Sequence, residues 1–114
     1  MLQRIALALV CLSFLAPSAA RAAEEFVSCD PVAVAAFSSR IHVRCAASVG
    51  GGIFYFAHST QNAAAVQRLL TVLTAAQVAG RTLLILTDLA DTSGTSIGCG
   101  AADCRPLRAA SFGN

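Results

Sequence analysis

The sequence predicts a small α+β domain, mainly β, with one central helix and two disulfides. Three observations predict it. First, Asn62 to Leu86 reads as a helix that turns straight into an apolar strand. Val66, Leu69, Leu70, Leu73 and Ala76 keep the three-and-four spacing of one helix face, and Gln67, Arg68, Thr71 and Thr74 take the other. Gly80 stands where a helix ends on a positive φ. Second, Arg40 to Cys45 alternates: Ile41, Val43 and Cys45 face one way, Arg40, His42 and Arg44 the other, as in a half-buried antiparallel strand. Third, Cys29, Cys45, Cys99 and Cys104 all follow a leader that directs the chain to an oxidising compartment.

That leader is residues 1–23. Arg4 supplies a positive start, Ile5 to Ala16 an apolar run, Pro17-Ser18 a break and Ala20-Arg21-Ala22 a small-x-small cleavage pattern. The run falls short of the ~20 apolar residues a spanning helix needs. Cys11 lies inside it rather than just after it, which argues against a lipoprotein anchor. Residues 24–114 are then a single small domain, secreted or periplasmic, with no membrane attachment once the leader is gone. The formal charge of +2 is carried by arginines alone, since there is no lysine. Arg4 and Arg21 leave with the leader, so the mature domain is near neutral and nothing points to nucleic acid or an anionic membrane as partner. A domain of about ninety residues buries a limited share of its surface and gains from covalent help. Four cysteines allow three pairings; Cys29–Cys45 with Cys99–Cys104, one at each end of the domain, is the favoured one.

In chain order, Ala23 to Pro31 reads as a polar lead-in that turns at Asp30-Pro31. Val32 to Phe37 alternates weakly as a first strand, Ser38-Ser39 breaks it, and the alternating strand of residues 40–45 follows. Val49 to Gly52 suits a hairpin turn. Ile53 to Ala57, apolar on both faces, predicts a central strand with the helix covering one side. Ser59 or Thr60 is expected to cap the helix. Residues 81–87 form a buried strand, Asp88 to Gly100 is turn and loop chemistry, and Arg105 to Phe112 holds a last short edge strand. Strand, strand, strand, helix, strand and a disulfide-bound tail is an order found in open Greek-key barrels of OB type, so the fold expected is a small antiparallel OB-like sheet or barrel.

The stretches Arg40-Ile-His-Val-Arg-Cys45, Ile53 to Ala57, Leu69 to Leu86 and Cys99 to Cys104 together resemble the B subunits of bacterial toxins of the subtilase-cytotoxin and typhoid-toxin type. The Arg-Ile-His-Val-Arg-Cys, Tyr-Phe-Ala and Asp-Cys-Arg elements are closer still to a set of small uncharacterised secreted bacterial proteins, a likeness that implies no activity. The toxin likeness implies an OB-type fold, a homopentameric ring and glycan binding. The part before Cys45 is shorter here, there is no tryptophan and Tyr55 is the single tyrosine. No sugar-contacting residue carries over position by position.

The functional reading is therefore a non-catalytic binding module for a glycan or another surface ligand, with homo-oligomer assembly. The alternative is a periplasmic structural or accessory protein whose partner is another protein. The candidate ligand face is the cationic stripe Arg40, His42 and Arg44; a solvated strand face is the competing reading. His42 there would titrate near the physiological range. No cofactor, metal or catalytic residue is expected. Cys99 and Cys104 with His42 and His58 fall short of a zinc site because disulfide formation competes. His58-Ser59 are strand neighbours that point apart, which suits a cap better than a nucleophile. Asp88 and Asp91 lack the spacing of a calcium loop. Asp103 and Arg105 flank Cys104, where a salt bridge could tie the tail.

Overall fold

Residues 23–113 are described by a computed structural model. The predicted signal peptide lies outside the described residues apart from Ala23. Strands β1 (Glu25–Cys29), β2 (Pro31–Ala36), β3 (Arg40–Val49) and β4 (Ile53–Ser59) precede the helix α1 (Ala63–Ala79). Strands β5 (Leu83–Thr87), β6 (Cys104–Pro106) and β7 (Ala109–Ser111) follow it. A short 3-10 helix, Ser93–Ile97, lies between β5 and β6. The domain is α+β and mainly β.

The strands pair as two sheets, β1-β5-β7 and β2-β3-β4-β6. The sheets are joined twice. Asp30 alone separates β1, which pairs with β5, from β2, which pairs with β3; at that bend Ala46 N donates to Asp30 O (2.9 Å). Leu107 and Arg108 separate β6 from β7. There Leu107 N donates to Ala57 O of β4 (2.7 Å) and Arg108 N to Leu86 O of β5 (2.9 Å). Strands that bend from one sheet into the next are how such corners are made. A continuous hydrogen-bonded circuit results, from β5 through β1/β2, β3, β4 and β6/β7 back to β5. All pairs are antiparallel except β4 with β6, which run parallel because the helix and β5 intervene.

The core is what the alternation predicts. Ile41, Val43 and Cys45 point inward and meet Phe56, Leu83, Ile85, Leu107 and the helix residues Leu73 and Ala76, all fully buried. Cys29 and Cys45 are bonded within this cluster, and Cys99 is bonded to Cys104.

Three local expectations are corrected. The polar lead-in holds a strand, β1, because Val27 and Cys29 face the core while Phe26 and Ser28 face out; Glu25 is exposed at the strand's start. The helix cap is Asn62, whose Oδ1 accepts from Ala65 N (3.1 Å). Ser59 and Thr60 are occupied elsewhere: Ser59 Oγ accepts from Gln61 N and Thr60 Oγ1 donates to Ser38 O. The helix packs chiefly on β2, β7 and β3, not over β4. The outer face of β4 is covered instead by the Cys99–Cys104 loop, which buries Ala57. At the other end of α1, Gly80 takes φ 66° as predicted, and Arg81 N reaches back to Ala76 O (2.9 Å).

Candidate functional site

The alternation of β3 decides which side chains are available. With Ile41, Val43 and Cys45 committed to the core, Arg40, His42 and Arg44 must stand on the outer face, and they do. Register sets their neighbours: Arg44 lies opposite Tyr55 and His42 opposite Ala57. Tyr55, diagonal to His42, brings its ring centroid to 5.1 Å from the imidazole. From the turn before β3, Phe37 also meets the imidazole edge-on, with ring centroids 5.1 Å apart. His42 thus contacts both Phe37 and Tyr55, with Arg40 Cζ 4.2 Å from the Phe37 centroid and Arg44 Cζ 6.0 Å from that of Tyr55.

The loop before β6 forms the opposite wall. Gly98, Gly100, Asp103 and Cys104 face Arg40, His42 and Tyr55 across a hollow of about 230 Å³. Several independent contacts fix that wall. Cys99 and Cys104 are bonded, and Phe54 N and Tyr55 N both donate to Asp103 O (3.0 Å each). Arg40 Nη1 and Ser39 Oγ donate to Ile97 O (3.2 Å each). Arg105 does not pair with Asp103; it donates to the carbonyls of Leu89, Ala101 and Cys104 (2.6–2.8 Å) and so laces the loop from within. Gly98 has φ 90°, and a Cβ there would come within 2.5 Å of Arg40 Nη1. The positive φ is what requires glycine; a Cβ would also push the Arg40 guanidinium, the end of a flexible side chain, aside.

Electrostatically the hollow has one cation, Arg40, and one carboxylate, Asp103, whose side chain makes no hydrogen bond among the described residues; Arg44 lies beside Tyr55 on the same strand face. Burial, and then the Arg40 charge, lower the His42 pKa from its ordinary value, so the ring is neutral at pH 7. The arrangement offers aromatic edges and faces, guanidinium donors and carboxylate acceptors at a partly exposed surface. It can bind a polar ligand.

The remaining constellations do not assemble. Cys99 and Cys104 are bonded to each other, and among the described residues no group of three or more metal-ligating side chains converges. His58 Nδ1 donates to Leu107 O (2.9 Å) and does not address Ser59. Asp88 and Asp91 shape the loop: Asp88 Oδ1 accepts from Ala90 N (2.9 Å), and Asp91 accepts from Ser93 N (2.8 Å) and pairs with Arg108. The Ser93 contacts, then Arg108, hold the Asp91 carboxyl below its usual range.

The alternation places Arg40, His42 and Arg44 on one strand face, as the structure has them, but gives no sign of Phe37, Gly98 and Asp103 as neighbours of that face. The nearest available signal was Gly98-Cys99-Gly100, where two glycines bracket a cysteine expected to be crosslinked. Comparison with known protein families, curated proteins and solved structures finds no match for the chain.

Proposed function

We propose that the protein is a non-catalytic binding module that holds a glycan or another surface ligand on the outer face of β3 and β4. One observation carries the reading. Counting β1/β2 and β6/β7 as single bent strands, the segment order is one-two-three-five-four-one, with the helix between the third and fourth. That order supports an OB-type barrel. Barrels of that type bind oligosaccharides and oligonucleotides on the face of strands two and three and in the loops between strands one and two and between four and five. The hollow bounded by Arg40, His42, Tyr55 and Asp103, with Phe37 beside His42, lies on the corresponding elements. The near-neutral charge of the mature domain favours a saccharide over a nucleic acid.

The assembly reading has separate support. Arg68 is the single charge on α1, and the helix flank lined by Val66, Leu70, Thr74 and Val78 carries none, although Val78 is 83% exposed. A surface helix normally turns charges to water. Burial of this flank in a ring of identical subunits, five if the assembly follows the toxin B subunits, accounts for the composition. The two disulfides support a secreted or periplasmic location. Among the described residues, no helix is long and apolar enough to cross a membrane.

The test is a glycan array with the purified protein, alongside native mass spectrometry. Binding that Tyr55→Ala and Arg44→Ala abolish is the expected result. A monomer with no glycan signal rejects the reading. A second reading, an accessory protein with a protein partner, is favoured by Phe26 (63% exposed) and Leu84 (47% exposed). These stand on one outer face of β1 and β5, where Phe26 pairs with Leu86 two residues along from Leu84. Loss of partner capture in Phe26→Ser, with the β3–β4 face intact, would favour that reading.

A further inference from the structure

Arg68 differs from every other arginine among the described residues. Arg40 bonds Ile97 O and covers Phe37, and Arg44 lies over Tyr55. Arg81 bonds Gly113 O, Arg105 bonds three carbonyls, and Arg108 pairs with Glu24 and Asp91. Arg68 makes no hydrogen bond, ion pair or aromatic contact among those residues. It is also the single charge on a helix otherwise built of alanine, aliphatic, threonine and glutamine residues.

Arg68 borders a hollow of about 250 Å³ between α1 and β7, apart from the β3–β4 face. The hollow exists because alanines stand where larger side chains would close it: Ala65 on the helix, Ala109 and Ala110 on β7. Leu69 and Val72 give it an apolar lining. Arg108 adds the wall of its stem, but Glu24 and Asp91 engage its outer nitrogens, so its charge is already balanced. His58 also borders the hollow; its Nδ1–H is committed to Leu107 O, which leaves Nε2 as its free nitrogen.

We infer that this hollow is a second binding site, for a small organic monoanion: a carboxylate whose charge meets Arg68 and whose short apolar body lies on Leu69, Val72 and the alanines. Size and charge both select that class. Drug-sized ligands take pockets of ~300–1,000 Å³, so this one suits something smaller. One unbalanced cation, with two carboxylates close by on Arg108, favours a monoanion with an apolar tail over a multiply charged phosphate.

The experiment is an NMR titration of the 15N-labelled purified protein with butyrate, with butyramide as the uncharged isostere and acetate as the tail-less anion. Butyrate is expected to give saturable shifts at Arg68, Ala109 and Ala110, acetate weaker ones, and butyramide none that saturate. Arg68→Gln is expected to weaken butyrate by about tenfold or more, the loss of one charge-assisted contact. Its thermal midpoint should not move, because the side chain is exposed. Ala110→Leu should fill the hollow and abolish binding; a heteronuclear correlation spectrum otherwise matching the parent verifies its fold. Equal binding of butyrate and butyramide, an unchanged affinity in Arg68→Gln, or no saturable shift for butyrate would each overturn the assignment. Tyr55→Ala should leave butyrate binding intact, which separates this site from the β3–β4 face.

Discussion

The two disulfides occupy different kinds of place. Cys29–Cys45 lies inside the main core, 2% and 1% exposed, and ties the end of β1 to β3 across the Asp30 bend where one sheet becomes the other. Cys99–Cys104 closes a loop of sequence separation 5 in a small satellite cluster with Ala57, and that loop is one wall of the β3–β4 hollow. One crosslink secures the seam of the scaffold and the other secures the wall of the hollow proposed as the binding site. Similar bonds in one chain would therefore serve stability in the first case and, on the proposed function, preorganisation in the second.

The largest effect should come from Cys29→Ala with Cys45→Ala. Closing the longer loop stabilises by about 3 kcal/mol in the chain-entropy account, and buried sulfur packing is lost as well. Thermal unfolding should show a midpoint lower by roughly 10–20 °C. Cys99→Ala with Cys104→Ala should cost about 2 kcal/mol, with the circular-dichroism spectrum retained and ligand binding at the hollow lost. If both pairs lowered the midpoint equally and both spared binding, the contrast would fail.

Gly98→Ala probes the loop without touching sulfur. Its positive φ and the nearness of Arg40 predict a loss of about 1–2 kcal/mol and displacement of Arg40 from Ile97 O, readable as a weaker affinity at the β3–β4 face. Asn62→Ala belongs to neither crosslinked region. It should cost about 1 kcal/mol by loss of the helix cap and leave affinity unchanged, which calibrates the loop variants.

The smallest effect is the pH dependence of His42. Its folded pKa is depressed below the unfolded value, so the unfolded chain binds the proton more readily. Its contribution to stability is therefore complete above the unfolded pKa of about 6.5 and is lost as pH falls below that value toward the folded one. Denaturation midpoints should decline over this window in the parent and less in His42→Gln. An identical slope in the two would remove His42 from the account.

How much of this was legible follows from how local each signal is. Strict alternation in residues 40–45 gave the buried and outward sets of β3 correctly, because one face of a strand has no freedom once the other is buried. Gly80 marked the helix end for an equally local reason. Strand β1 was hidden because only Val27 and Cys29 face inward and its partner, β5, lies far along the chain. A pairing of that separation leaves no periodic trace. The cap was misread because Ser59, Thr60 and Asn62 are all competent, and the Thr60 bond to Ser38 O settles the choice through tertiary structure. Phe37 meets His42, and Asp103 faces it across the hollow, from two loops that have no pattern to read, so the cationic stripe was visible and its aromatic and acidic neighbours were not.

The flanking of β5 by β1 and β7 also governs how the molecule can be rewired. The first and last strands lie two strand spacings apart, ~10 Å, and the Glu24–Arg108 pair bridges them. Glu25 stands opposite Thr87 and Ser111 opposite Leu84, so their outer ends are offset by a further few residues. A linker of about six residues spans that gap. New ends opened within the exposed Gly50-Gly51 turn would then give a circular permutant with the core, both disulfides and both hollows in their present connectivity.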